Sequence, residues 1–335
     1  MKTLVKLALI AVVFFGLLIL LIRFRYGGGE HFEDRTTAPE LPASALEKVA
    51  DLDLPPGNIA VSDTGRIFFT FHPEAKPDVN VAELVDGRPV PYPAELADDI
   101  AYQSVLSLRI DRQNRLWILD NANHGTGTPR IFAIDLATDE VVHRHDFSSG
   151  IAGIGSHLND FQVSADGLRI YIADASIFRQ NPALVVYDVE SKRARRLLEG
   201  HPSVVPDDYV PVVQGRKMTI FGIFSVRPGV DSIALDRQGE WLYFAPVTDD
   251  SLHRIRRADL DDESLSPESL AQRVEQYALK TMSDGITTDL DGNIFLSDAD
   301  HSAIVMLEPF GTLRTLVKDP VLRWPDGFSF GPDGY

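Results

Sequence analysis

The sequence predicts an all-β fold, a six-bladed β-propeller preceded by a single N-terminal transmembrane helix. Three observations lead to this prediction: an uncharged apolar run near the N-terminus, a hairpin motif that occurs six times, and a spacing between copies close to the length of one propeller blade. The predicted boundaries are 1–26 for the transmembrane segment, 27–50 for a polar linker and 51–335 for the propeller.

The apolar run spans residues 7–22 and is flanked by Lys2 and Lys6 on one side and by Arg23 and Arg25 on the other. About 20 apolar residues cross a bilayer as a helix. The residues that follow offer no small-residue cleavage pattern, so we expect an uncleaved signal anchor. The propeller would then lie outside the cytoplasmic membrane, in the periplasm or the extracellular space. Secretion after signal cleavage is the alternative.

A repeated motif predicts the blades. Each copy has an apolar strand, a turn containing Asp, Asn or Gly, and a second apolar strand, which is the pattern of a β-hairpin. The turn residues are Gly65, Asn114, Gly167, Gly239, Gly292 and Gly334. Subtracting successive positions gives spacings of 49, 53, 72, 53 and 42 residues. Four-stranded propeller blades repeat every 40 to 50 residues or so, which is about this spacing.

Third and fourth strands follow the hairpins in blades two, three and five, at 130–135 with 140–145, 183–188 with 195–198, and 303–307 with 313–317. The basic run 192–196 is expected to belong to a solvated outer strand. The longest interval contains an insertion at about 200–226, which should lie over one face. The sixth copy reaches only its second strand, so the sixth blade is incomplete. Either the sequence is a fragment, which we favour, or residues near 35–55 complete the ring.

Polar residues recur where the innermost strands begin, two positions before the first apolar residue of each strand. Because these strands line the channel, the residues should form one ring. Several carboxylates at one level repel each other unless a cation neutralises them, and an all-oxygen ligand set suits Ca²⁺. The sequence therefore predicts a Ca²⁺ site. Its members are Asn159, Asp231, Asp284 and Asp326 in blades three to six, with Gly57 and Leu106 at the same position in blades one and two.

Other interpretations stay open. Asp and Asn also cap backbone groups in strand-entry loops, and this is the role we expect for Asp160. His157 is a candidate general base because it stands two residues before Asn159, and His124 is a second candidate. The net charge of −17 argues against nucleic-acid binding. The absence of cysteine excludes disulfides, zinc–thiolate sites and cysteine nucleophiles.

The chain resembles the yellow and major royal jelly protein family over most of its length after the linker. The matching segments occur in the family's order, at 104–120, 131–136, 144–145, 158–160, 184–188, 222–224, 242–244 and 324–326. The resemblance implies a six-bladed propeller, usually secreted. The family includes ligand-binding proteins, and some members are associated with dopachrome conversion.

Residues 283–286 and Asn159 are also similar to the regucalcin and gluconolactonase family, which holds a divalent cation with a Glu, two Asn and an Asp. Asn159 and Asp284 match two of these ligands, and Asp231 stands in place of one Asn. The Glu position falls at Pro56, so that ligand is missing, and Asp326 is the candidate to replace it.

These features favour a propeller that binds a small ligand, with or without a divalent cation, at the mouth of the channel. One alternative is a Ca²⁺-dependent hydrolase of lactones or esters, in which the cation polarises the carbonyl and activates water. The other is a protein-interaction scaffold that uses the rim of the propeller.

Overall fold

Five four-stranded antiparallel sheets form the blades of a β-propeller in the computed structural model. The structure describes residues 2–93, 101–178, 181–309 and 311–332. In each blade the four strands pair in sequence order. The innermost strands of successive blades contact one another, so they line a common channel.

The strand bounds follow the predicted order closely. Blade one contains β1 (Pro56–Val61), β2 (Ile67–Phe71), β3 (Val81–Val85) and β4 (Arg88–Pro91). Blade two contains β5 (Val105–Ile110), β6 (Arg115–Asp120), β7 (Arg130–Asp135) and β8 (Glu140–Asp146). Blade three contains β9 (Leu158–Val163), β10 (Arg169–Asp174), β11 (Ala183–Asp188) and β12 (Arg193–Leu197).

The insertion and the last two blades complete the list of strands. Two small hairpins, β13 (Val212–Val213) with β14 (Arg216–Lys217) and β15 (Thr219–Ile220) with β16 (Phe224–Ser225), lie between blades three and four. Blade four contains β17 (Val230–Leu235), β18 (Trp241–Pro246), β19 (Ser251–Arg256) and β20 (Glu275–Leu279). Blade five contains β21 (Ile286–Thr288), β22 (Ile294–Asp298), β23 (Ala303–Leu307) and β24 (Leu313–Lys318).

Helices are few in the described ranges. The long one is α1 (Lys2–Tyr26), and the short ones are α2 (Ala122–Gly125), α3 (Arg257–Asp261) and α4 (Pro267–Ala271). Ala43–Ala45 and Pro73–Ala75 form single 3-10 turns. Helix α1 coincides with the predicted apolar segment, and it is long and apolar enough to cross a membrane. A signal sequence near the N-terminus would meet the same test of length and composition.

The predicted hairpin turns of blades one to five are confirmed by their backbone angles. A positive φ is what a tight turn between two strands requires, and glycine or asparagine adopts it at low cost. The φ values are 83° at Gly65, 60° at Asn114, 72° at Gly167, 69° at Gly239 and 88° at Gly292. The sixth turn residue, Gly334, lies outside the described residues.

Residues 326–330 lie between blade five and blade one, where the innermost strand of a sixth blade belongs. The Val61 amide donates to Ser329 Oγ at 2.9 Å, and Arg109 Nη1 donates to the Phe328 carbonyl at 3.0 Å. A Cβ atom on Gly285 would stand 2.2 Å from the Asp326 carbonyl oxygen, so blade five packs tightly on the other side. The sixth blade itself stays a prediction, because five blades are described.

The linker residues 37–41 lie along β24, the outer strand of blade five. The amides of Glu40 and Leu41 donate to the carbonyls of Thr315 and Leu316 at 3.0 and 2.8 Å. Leu52 and Leu54 pack against blade one. No strand is assigned between residues 31 and 55, so the described residues do not show the alternative in which this segment completes the ring.

A buried aspartate at the end of the second strand fastens each of two blades. Asp120 accepts the amides of Gln103 and Ser104, both at 2.9 Å. Asp174 accepts the His157 amide at 2.7 Å and pairs with Arg196 at 2.5 Å. The carboxylate thereby ties the end of one strand to the start of its inner neighbour.

Arg196 corrects the prediction of a solvated basic run at 192–196. Its side chain is only 6% exposed and also donates to the carbonyls of Ile151 and Asn181, both at 2.7 Å. The strand pattern alone did not distinguish this arginine from its exposed neighbours, because its partner Asp174 lies 22 residues away.

We expect Asp174→Asn to lower the free energy of unfolding by about 3 kcal/mol, since it removes the buried counter-charge of Arg196 and leaves only the exposed carboxylate of Glu199, 2.9 Å away. The matched control is Asp188→Asn, which breaks a half-exposed pair with Arg169 and should cost less than about 1 kcal/mol. Urea unfolding of both variants measures the difference. Equal losses would show that the buried aspartate has no special role in fastening the blade.

Candidate binding site at the channel mouth

β-Bulges shape the start of the innermost strands. The pairing register shifts between Pro56 and Ile59 in β1, between Val105 and Ser107 in β5, between Leu158 and Phe161 in β9, and between Val230 and Ser232 in β17. A bulge sets two residues of one strand opposite a single residue of its partner. Each of these four blades therefore presents two neighbouring residues at the mouth, where simple alternation predicts one.

The four predicted site residues lie together at this level. Asn159 Nδ2 donates a short hydrogen bond to Asp231 Oδ1 across the gap between blades three and four. The indole N–H of Trp324 donates to Asp284 Oδ2. Burial raises the pKa of Asp326, and the nearby carboxyls of Asp284, Asp160 and Asp231 raise it further.

Three further channel residues were missed by the sequence analysis or given another role. Asp160 is a member of the site and not an isolated cap, since its Oδ1 accepts from Ser107 Oγ and Asn58 Nδ2, both at 2.8 Å. Asn58 and Ser107 directly follow Gly57 and Leu106, the residues assigned to blades one and two. The bulges explain the one-residue error, and no signal in the residue pattern marked them.

Arg109 is the positive charge closest to these carboxylates. Its Nη2 lies 3.6 Å from Asp160 Oδ2, and its other nitrogens donate to the carbonyls of Phe161 and Phe328 at 3.3 and 3.0 Å. Arg109 lowers the pKa values of Asp160 and Asp326, but burial outweighs it and raises both. One guanidinium therefore faces four carboxylates.

Burial and mutual repulsion raise the pKa values of the channel carboxyls. The pKa of Asp231 is raised well above its usual range by burial, then by Asp284 and Asp160. Burial is also the main cause for Asp284, whose pKa rises to about 6 although the Trp324 hydrogen bond opposes the shift. The site holds more negative charge than its surroundings compensate, which is the condition that favours binding a cation.

Two buried oxygen atoms at the mouth have no hydrogen-bond partner within the described chain. They are Asn159 Oδ1 and Asp160 Oδ2, of which the second lies 3.6 Å from Arg109 Nη2 in an ion pair. Buried polar oxygens are nearly always paired, so an unpaired one at a cleft indicates an external partner. Both atoms are hard oxygen donors of the kind that Ca²⁺ prefers.

A second acidic group lies away from the predicted ring. The ligand atoms of Asp207, Asp249 and Asp250 lie within 4.8 Å of one another, a spacing that no other such group among the described residues reaches. The buried Lys280 donates to the Asp249 carbonyl at 2.6 Å, and its pKa is lowered to about 8 by burial. The Lys280 ammonium therefore lies against the triad, whereas among the channel carboxyls it lowers the pKa of Asp284 and Arg109 lowers those of Asp160 and Asp326.

A cavity of about 340 Å³ adjoins the mouth on the side of blade one. Its walls are mainly apolar and include Leu52, Ile59 and Phe69, while Asn58 and Asp326 contribute polar atoms. The walls from β1, β2 and β3 belong to the face of blade one against which a sixth blade would pack, so the part of the cavity that faces the channel is its polar end at Asn58 and Asp326.

His157 and His124 form a pair at the same end of blade three. Their Nδ1 atoms are 2.9 Å apart, and His124 Nε2 lies 3.5 Å from Glu74 Oε1. Burial, together with His124 and His72, lowers the pKa of His157 to about 3, so its imidazole is neutral at physiological pH. The turn that carries His124 is left-handed, with φ of 52°, 53° and 55° at Ala122, Asn123 and His124, an unusual backbone for residues other than glycine.

Solved structures with the same fold support the propeller architecture. A gluconolactonase from Xanthomonas campestris superimposes with a TM-score of 0.56 over 85% of this chain and 82% of that protein, at 12% identity. Regucalcin from Agrobacterium tumefaciens, described as a calcium-binding protein, gives a TM-score of 0.52 over 84% of this chain and 80% of its own, at 15% identity. At such low identity these similarities establish the fold alone.

Sequence comparison identifies the family. Major royal jelly protein 3 of Apis mellifera is 25% identical over 249 residues, covering 70% of this chain and 44% of the relative. Major royal jelly protein 1 of the same organism is 25% identical over 240 residues, covering 65% and 53%. The chain thus spans about half the length of these curated relatives. A profile described as major royal jelly protein matches residues 103–325, and the chain therefore belongs to the major royal jelly protein family.

Proposed function

We propose that this protein binds a small ligand together with a divalent cation at the channel mouth, on a propeller that α1 holds outside the cytoplasmic membrane. The observation that carries the proposal is the cluster of Asp160, Asp231, Asp284 and Asp326. Burial raises the pKa values of all four, neighbouring carboxyls raise the last three further, and the opposing cations are Arg109 and, at Asp284, Lys280. A cation supplies the missing positive charge.

Asn159, Asp231 and Asp284 are the residues that would hold the cation, with Asp160 and Asp326 beside them. Among these ligand atoms, Asn159 Oδ1 indicates a bound cation most strongly, because it is buried and has no hydrogen-bond partner within the described chain. When bound, the cation supplies positive charge to the site and polarises an oxygen of the ligand. The fold shared with a calcium-binding propeller is consistent with this choice of ion.

The channel end of the cavity beside blade one supports the small-ligand part of the proposal. Its polar members, Asn58 and Asp326, lie on the side of the carboxylate cluster, so a polar group of a ligand placed there would meet the cation.

A hydrolase of lactones or esters is a second candidate, favoured by the pair of histidines. His157 stands two residues before Asn159 and shares a hydrogen bond of 2.9 Å with His124, although a pKa of about 3 makes its imidazole a weak base. In a hydrolase, His157→Gln would abolish turnover while leaving Ca²⁺ binding intact. A lactone and ester screen with added Ca²⁺, run on the parent chain and His157→Gln, decides between the candidates; no turnover in the parent rejects the hydrolase.

Calorimetry of the full chain with Ca²⁺ tests the cation site. We expect Asp231→Asn to bind Ca²⁺ at least tenfold more weakly, about 1.4 kcal/mol, because it removes a ligand charge while keeping the side-chain shape. The control is Asp207→Asn, which removes a carboxylate from the acidic triad and should bind like the parent. Loss of binding in Asp207→Asn with normal binding in Asp231→Asn would move the site to the triad.

Asp284→Asn should stabilise the protein when the cation is removed by a chelator. Because the pKa of Asp284 is raised in the folded state, the folded chain binds the proton of this carboxyl more tightly than the unfolded chain does. The stability of the parent is therefore favoured below the ordinary carboxyl pKa of 3.8 and declines as the pH rises through about 6. Asp284→Asn should therefore raise the free energy of unfolding by about 2 to 3 kcal/mol more at pH 7 than at pH 4.

Urea unfolding at both pH values measures this advantage. Asp207→Asn again serves as the control, because it changes the net charge equally outside the channel. An advantage of Asp284→Asn that is the same at pH 4 and pH 7 would contradict the idea of an uncompensated carboxylate cluster.

A further inference from the structure

The β15–β16 hairpin of the insertion ends in an exposed aromatic residue on an unfavourable backbone. Phe221 is 90% exposed and has a φ of 53°, followed by Gly222 at 67°. Three residues separate the strands, and the Ile223 amide closes a turn on the Ile220 carbonyl at 3.0 Å with Phe221 and Gly222 at its centre. Positive φ at both central positions favours Asn-Gly or Asp-Gly, because a bulky residue there is strained. Phe221 costs free energy in two ways, because its backbone is strained and its ring is exposed to water. Contact of the ring with a partner outside the described chain would offset this cost.

This hairpin lies directly against the end of the apolar helix. Ser225 Oγ donates to the Gly28 carbonyl at 2.9 Å, and the rings of Tyr26 and Phe224 lie 6.4 Å apart. A Cβ atom on Gly27 would stand 2.6 Å from the Ile223 carbonyl oxygen, so the backbones touch. The hairpin tip therefore sits where α1 would leave a bilayer.

Positive charge is concentrated at the same place in a protein with a net charge of −17. Arg23 and Arg25 end α1, while Arg216 and Lys217 lie exposed on β14, next to the hairpin in sequence. Basic residues near an anionic bilayer surface contribute about 1 kcal/mol each, and aromatic residues favour the headgroup level.

We propose that the β15–β16 hairpin, with Arg216 and Lys217, is a membrane-docking surface that inserts Phe221 at the headgroup level of an anionic bilayer. The occupant is a lipid surface because the patch continues the apolar helix and carries the charge opposite to anionic lipids. The proposal rests on the retained anchor proposed above and is independent of the cation site.

The docking surface also sets which way the propeller faces. The insertion leads directly into β17, whose second residue is Asp231, so it lies at the channel-mouth end of the blades. It is fixed there by hydrogen bonds from the Val212 amide to Asp300 at 2.8 Å and from Gln214 to the Pro320 carbonyl at 2.7 Å. Docking through Phe221 would turn the channel mouth toward the bilayer, and ligands would enter from that side.

Fluorescence quenching of the full chain in lipid nanodiscs tests the proposal. Phe221→Trp places a reporter at the tip, and Leu290→Trp places one in the exposed β21–β22 turn at the opposite end of blade five. In discs of equal parts phosphatidylcholine and phosphatidylglycerol, brominated lipid should quench the added emission at 221 several-fold more strongly than that at 290. Equal quenching would overturn the proposal, as would an unquenched but blue-shifted signal at 221, which would indicate a protein partner.

A second variant tests the contribution of Arg216 and Lys217 to lipid binding. Arg216→Glu combined with Lys217→Glu, in the Phe221→Trp background, should reduce quenching in the anionic discs and leave it unchanged in pure phosphatidylcholine. Equal quenching in both lipids would reject an anionic surface as the partner. Intact-mass measurement of the mature chain checks the anchor: loss of α1 would overturn the docking proposal, whereas Ca²⁺ binding would be unaffected.

Discussion

Electrostatic repulsion among buried carboxyls at the channel mouth is the constraint on which the site depends. Asp160, Asp231, Asp284 and Asp326 come from four segments of the ring, and burial raises all four pKa values. Arg109 compensates only part of this charge. A chain that keeps such a cluster either holds protons there at a cost in stability or binds a cation, and the unpaired Asn159 Oδ1 favours the second.

The propeller is what makes this concentration of charge possible. Each innermost strand is fixed by its own blade, so a polar residue at its start cannot move away from the channel without breaking sheet hydrogen bonds. Asp174 and Asp120 strengthen the same point in blades three and two by binding amides at the strand entries. The sheet hydrogen bonds therefore hold the carboxylates close together despite their repulsion, and a bound cation reduces that repulsion.

Much of the fold is predictable from the sequence because blades repeat. The strands 130–135, 183–188 and 303–307 have the predicted bounds, since alternating apolar residues and turn glycines are local signals. The four site residues Asn159, Asp231, Asp284 and Asp326 lie together because equivalent positions of a ring face one channel.

The features that the sequence did not predict depend on long-range contacts or on irregular backbone. Bulges brought Asn58, Ser107 and Asp160 into the mouth, and nothing in the pattern of β1, β5 or β9 marks a bulge. The burial of Arg196 depends on Asp174, and the position of residues 37–41 depends on the free edge of β24.

The most direct test of the cation site is the anomalous difference map of crystals of this protein soaked with terbium, which occupies Ca²⁺ sites. The account predicts the strongest peak between Asn159 Oδ1, Asp231 and Asp284, and its disappearance in Asp231→Asn. A strongest peak at Asp207, Asp249 and Asp250, or no peak in the channel, would contradict it.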